Sequence, residues 1–229
     1  GPDRAVFADR GNDILATTGV HIGGTDFDQL LNLRHVMPLL GLGHVGPHGR
    51  SMPSSLFHAL STWHLVPQCY TRKSLHDAAQ LRSDYTEPTL HKRLMHVLHE
   101  RQGHRILAHT EAAKIDCSNT RADAQIELDC IERDLSVPLT PAGLDATLQA
   151  QVASIVACAQ ACVARSGVPA NRLQALYLTG GSSALAPLGV ALGEAFPGAQ
   201  LVTGDRLGSV AAGLAYGGAA VGRAMAVES

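Results

Sequence analysis

Apolar residues recur at helical spacing along three long stretches of this chain, and alternate with polar ones along a fourth. Phe27, Leu30 and Leu31 begin the first stretch, with Thr25 or Asp26 as its cap. The spacing predicts a helix running as far as Leu40, where Gly41 stops it. Leu90, Leu94, Val97 and Leu98 form one stripe, and Ile106, Leu107 and Ala113 another, with Gly103 dividing two helices. Thr140-Pro141 opens the longest helix, a capping residue followed by proline at the first helical position. Its stripe is Leu144, Leu148, Val152, Ile155, Val156, Ala159 and Val163, and Gly167 ends it. Between these helices, residues 123–131 alternate. Ala124, Ile126, Leu128 and Cys130 face one way, and Gln125, Glu127 and Asp129 the other. That is a strand with one wet face, hence antiparallel.

The C-terminal third changes period. A strand at 173–179 meets the turn Gly180-Gly181-Ser182, then a helix at 184–195, a strand at 200–203 and a helix at 208–216. This βαβα order with short links predicts a parallel sheet with helices against it. At the other end, residues 4–8 and 13–18 read as two short strands around Arg10-Gly11-Asn12-Asp13. Residues 41–55 read as loop, 54–66 as a short helix, and 67–88 show no clear period. The expected organisation is therefore an α/β subdomain from 1–23 and 140–229, interrupted by an α+β insert at 24–139. A hinge is expected near 22–24 and 136–142.

Composition narrows the classes. The 229 residues carry a net charge of −2, so no basic field marks a nucleic-acid surface. Aromatic residues make up 4%, which argues against base-stacking platforms. Trp63, the only tryptophan, is expected to pack in a core. Neither an apolar run for a membrane span nor a signal peptide is read, and the cytoplasm is the expected location. Five cysteines have no zinc spacing. Cys158 and Cys162 share a helix face. Histidines 91, 96, 99, 104 and 109 read as solvated or capping residues, not metal ligands.

Two glycine pairs are candidates for close approach of an anion, Gly23-Gly24 before the first helix and Gly180-Gly181 after the C-terminal strand. Each is equally an ordinary tight turn. Ser182 can cap the helix after the second pair. Glu111 and Lys114 lie three apart on one helix face, either as a surface ion pair or as an acceptor and donor for sugar hydroxyls.

Four of these segments together resemble the Hsp70 chaperone family. Val20-His-Ile-Gly-Gly-Thr-Asp-Phe-Asp28 resembles its "THLGGEDFD" stretch. Glu111-Ala-Ala-Lys-Ile-Asp-Cys-Ser118 is similar to its "E-x-A-K-x-x-L-S" helix. Leu176-Tyr-Leu-Thr-Gly-Gly-Ser-Ser183 is similar to its "V-L-V-G-G-S-x-R" adenosine motif, and Gly208-Ser-Val-Ala-Ala-Gly213 to "D-E-A-V-A-x-G". Order and spacing also fit. Val36-Met-Pro-Leu-Leu-Gly-Leu-Gly43 and Tyr177-Leu-Thr-Gly-Gly-Ser182 resemble the divergent YegD-like branch.

The resemblance spans the whole chain but only the second half of the family's actin-like ATPase domain. It implies lobe II of that ribonuclease H-like fold, with 24–139 as the outer subdomain and the remainder as most of the inner one. The first lobe, the phosphate loop that in the family directly precedes the residues matched here, and the peptide-binding domain would lie outside this sequence, and the incomplete sheet would favour self-association or an N-terminus folded back over it. In the family, ATP or ADP binds with magnesium. Carried over, Gly23 and Gly24 would approach the phosphates, Glu111, Lys114 and Ser118 the ribose and adenine, and Gly180, Gly181 and Ser182 the nucleoside and nearest phosphate. No catalytic base is implied, and ATPase activity is expected only of a longer parent. Clients and co-chaperones would be that parent's partners. Ile115 and Ala184 stand where the family has arginines, and Leu207 where it has an aspartate. Those departures fit a second reading, an interaction module that has lost nucleotide binding. A small-molecule kinase relative of the same fold is a third.

Overall fold

Pro38 shapes the first element of the fold. The computed structural model describes residues 14–47 and 49–203. Helix α1, Gly24–Leu31, runs without a break into a π turn at Asn32–Val36 and a 3-10 turn at Met37–Leu40. An α ladder would need the Pro38 nitrogen to donate to the Arg34 carbonyl, and proline has no N–H to give. The wider turn before it and the tighter turn after it absorb that break. Gly41 then closes the helix at φ +114°, in the left-handed region. Tyr85 depends on this turn: its hydroxyl donates to the Leu40 carbonyl at 2.9 Å. Its ring stacks on His44, with centroids 5.5 Å apart. A methyl group at position 41 would stand 2.4 Å from that ring.

The chain divides into two units, Ile22–Gln151 and Gly1–His21 with Val152–Ser229. In the Ile22–Gln151 unit, α1 is followed by α2 (Ser55–Leu60), α3 (Arg72–Gln80), α4 (Pro88–His99) and α5 (Gly103–Thr120). The segment at 67–88, which shows no period in sequence, contains α3 and two 3-10 turns. Thr71 caps α3 by accepting from the Ser74 amide at 3.2 Å. The expected helix at 54–66 is confined to Ser55–Leu60; bends and turns come after it, and a 3-10 turn at Val66–Tyr70 carries Pro67 in its first positions.

Strands β1 (Ala124–Glu127) and β2 (Ser136–Leu139) pair antiparallel, Ala124 opposite Leu139. Ala124 and Ile126 are buried and their neighbours exposed, as the alternation predicts. The strand is shorter than expected. Leu128 donates to Leu135, and Ile131 donates back to Leu128 at 2.7 Å, so a turn replaces pairing from Leu128 onward. The core joins Phe27, Leu31, Met37, Leu94, Leu98 and Ile126, all under 2% exposed. At about 25 cal/mol per Å² of apolar surface, such side chains dominate the stability of the unit.

Helix α6, Pro141–Ser166, opens as its sequence predicts: Thr140 Oγ1 accepts from the Gly143 amide at 3.0 Å. Leu144, Leu148 and Val152 are buried. By length and composition alone α6 is apolar enough to cross a membrane, which corrects the expectation that no such run exists.

In the other unit, β3 (Ala175–Leu178) and β4 (Gln200–Thr203) pair in parallel, with Ala175 opposite Gln200. Helix α7, Ala186–Ala195, connects them and buries Leu188 and Leu192. The parallel pairing follows from the βαβ order. Residues 14–20 form no strand, which corrects the sequence reading. They lie along α6 instead. Thr18 Oγ1 donates to the Cys158 carbonyl at 3.1 Å, and Cys162 Sγ approaches the Ala16 carbonyl at 3.6 Å. The strand expected at 4–8, the helix at 208–216, and the motif around Gly208–Gly213 with Leu207 lie outside the described residues.

Candidate functional site

Side chains on α1 and α5 meet along a buried polar seam. Asp28 and Asn32 sit four apart on one helix, and Thr110, Lys114 and Ser118 four apart on the other. That spacing puts each set on one face. All five are less than 9% exposed. Asn32 Nδ2 donates to Ser61 Oγ at 3.0 Å, and Thr110 Oγ1 donates to the Ile106 carbonyl at 3.0 Å. The seam centres on an ion pair, Lys114 Nζ to Asp28 Oδ1 at 2.7 Å.

This pair revises the reading of Lys114. Sequence spacing offers Glu111 as its surface partner or sugar hydroxyls as its ligand, yet the ammonium is buried against Asp28. Burial holds the Asp28 carboxyl above its ordinary value. Contact with Lys114 and its charge pull it back, and the nearby Glu111 charge pushes it up again. The signal was present in sequence: a polar residue every fourth position on the apolar face of α5, matched by two on α1.

Gly23 is also engaged. Its N–H donates to Asp26 Oδ2 at 2.6 Å, and the Asp26 N–H donates to the Gly23 carbonyl at 3.1 Å. This is one half of a capping box, with the carboxylate already at the positive end of α1. The N-cap is Gly23, and Thr25 and Asp26 both lie inside α1, which corrects the expected cap. Gly23 itself is extended, at φ −126° and ψ −177°.

One cavity gathers several predicted residues. It measures about 360 Å³, within the range of small-ligand sites. Gly24 and Thr25 from the first turn of α1 line it, as do Leu107 and Glu111 from α5. Asp28 and Ser61 lie beside them. The remaining lining residue is Trp63, which is 52% exposed, so the expectation of a core tryptophan is corrected. His104 fixes its position: Nε2 donates to the Trp63 carbonyl at 3.0 Å, and the two rings lie 4.7 Å apart, tilted 54°. The charged lining of this cavity, among the described residues, consists of two carboxylates, Asp28 and Glu111. Lys114 neutralises Asp28, which leaves Glu111 as the exposed charge.

Ser118 closes the buried seam and is absent from the cavity lining. Ile115 is 48% exposed. Gly180, Gly181 and Ser182 belong to the other unit. Gly180 has φ +85°, a conformation that requires glycine, and Gly181 begins a 3-10 turn. A methyl group on Gly181 would meet no atom within 4 Å. Two other helix-borne histidines tether to backbone, His91 to the Ala78 carbonyl at 3.1 Å and His109 to that of Glu127. No protein-family model matches the chain.

Proposed function

We propose that this chain is the nucleotide-binding second lobe of an Hsp70-like, actin-like ATPase, with ATP or ADP as its ligand and magnesium accompanying the phosphates in a longer cytoplasmic parent. The observation that carries this reading is the shared cavity. Gly24 and Glu111 come from two of the resembling motifs, far apart in sequence, and line one ligand-sized space. Glu111 can accept from ribose hydroxyls there. Hydrolysis by water needs a metal and positive charge around the γ-phosphate, and by the resemblance the family's own such groups belong to the half of the domain outside this sequence. The proposed role is therefore binding, with no catalytic residue in this chain.

A second reading has its own support. Of two groups that the resemblance turns toward a nucleotide, the Gly23 N–H donates to Asp26 and the Lys114 ammonium is buried against Asp28. That arrangement suits an interaction module that no longer binds nucleotide. Amide chemical-shift mapping with ATP and ADP, with and without magnesium, separates the two. Weak binding with shifts at Gly24 and Glu111 supports the first. Shifts confined elsewhere, or none in the chain and none in its full-length parent, support the second.

A further inference from the structure

The cavity's chemistry is selective in a way that a general nucleotide site is not. An anion seeks cations or free N–H groups. The charged residues lining this cavity are carboxylates, and the Gly23 N–H just before α1 already donates to the Asp26 carboxylate. What the cavity does offer is a half-exposed indole, an apolar neighbour in Leu107, and an exposed carboxylate on Glu111. An indole presents a large apolar face to a planar ring, and a carboxylate accepts from paired hydroxyls. A ribonucleoside carries both complements in one small molecule.

Resting on the nucleotide-binding reading above, we infer that this cavity recognises the nucleoside and not the phosphates. Trp63 is the surface against which the base lies, and Glu111 accepts from the ribose hydroxyls. The low aromatic content of the chain does not count against this, because a single ring at the right place suffices.

The molecule contains its own reporter, since Trp63 is its only tryptophan. Adenosine, ADP and ATP are titrated without magnesium, by calorimetry and by tryptophan fluorescence in parallel. Adenosine is expected to bind at least as tightly as ATP, and all three to change the Trp63 emission. Trp63→Leu, at an exposed position that leaves the core intact, is expected to weaken adenosine about tenfold by calorimetry. Circular dichroism checks that its fold persists. Glu111→Gln is expected to weaken adenosine more than 2′,3′-dideoxyadenosine. Heat of binding with unchanged Trp63 emission, or ATP binding far more tightly than adenosine, overturns the inference and leaves nucleotide binding standing. No heat with any of the three overturns both.

Discussion

Lys114 Nζ lies 2.7 Å from Asp28 Oδ1, and both side chains are about nine-tenths buried. The pair joins α5 to α1 at the centre of a seam of polar residues. Taking two charges out of water is costly, and their attraction offsets that cost only while both remain. Removing either leaves the other charge buried without its partner.

Lys114→Ala is therefore expected to destabilise the Ile22–Gln151 unit by about 3–5 kcal/mol, and Asp28→Ala comparably. The double change Asp28→Leu with Lys114→Met is expected to lie closer to the parent than either single variant. Urea denaturation of the four proteins checks this. A loss of nucleotide binding in Lys114→Ala would report a weakened fold before it reported a lost contact.

Arg121–Asp145 offers the contrast. The guanidinium grips the carboxylate with two bonds, 2.9 and 2.7 Å, but both side chains are some 40% exposed. Solvent screens such a pair. Arg121→Ala is expected to cost less than about 1 kcal/mol, and the difference to shrink further in high salt. Thermal melts at two ionic strengths measure it.

The Gly41 turn gives a steric and an alkaline prediction. Gly41→Ala places a methyl group against the Tyr85 ring in a left-handed backbone, and a loss of several kcal/mol is expected in denaturant titrations. Tyr85→Phe removes the bond to Leu40 and is expected to cost about 1 kcal/mol. Burial pushes the Tyr85 phenol from 10.0 up to about 12. Its folded value exceeds its unfolded one, so its contribution is fully present below pH 10.0. That contribution is lost as pH rises toward about 12. Tyr85→Phe should lack this alkaline limb.

His35 governs the acid side in the opposite sense. Its Nε2 is buried with no hydrogen bond among the described residues, and burial, then the Arg34 charge, lower its pKa below the ordinary 6.5. The unfolded chain then takes up a proton more readily than the folded one. Stability is fully present above pH 6.5 and falls as the pH drops from there toward the depressed folded value. His35→Leu is expected to flatten that part of the pH–stability curve, measured by urea midpoints between about pH 5 and 7.5.

How far the sequence reads correctly depends on where partners lie. Stripes such as Leu144, Leu148 and Val152, and the Ala124–Ile126 alternation, are local patterns set by one helix face or one sheet face. They emerge directly from spacing. Helix α3 does not, because only Ala78 in it is buried and no stripe forms. Trp63 misleads in the other direction: its size favours burial, yet it stands half exposed at a cavity rim beside His104. Lys114 has a plausible partner one turn away in Glu111, and its true partner belongs to a different helix. Long-range pairing of this kind leaves only a faint trace in sequence, here the repeated fourth-position polar residues. Gly24 and Glu111 were legible as ligand candidates from resemblance, but that they share one cavity is a property of the folded unit.

The π turn at Asn32–Val36 bears on chain length. It holds one residue more than an α-turn, with Phe27 and Leu31 buried before it and Met37 and Leu40 after it. A version of this protein one residue shorter within Asn32–Val36 is expected to close an ordinary α-turn and keep those four anchors in place. Elsewhere in the helices a single deletion rotates every later side chain by about 100° and pulls the buried face into solvent. Length variation among relatives would therefore be tolerated at this turn and resisted along α5, where one missing residue would separate Lys114 from Asp28.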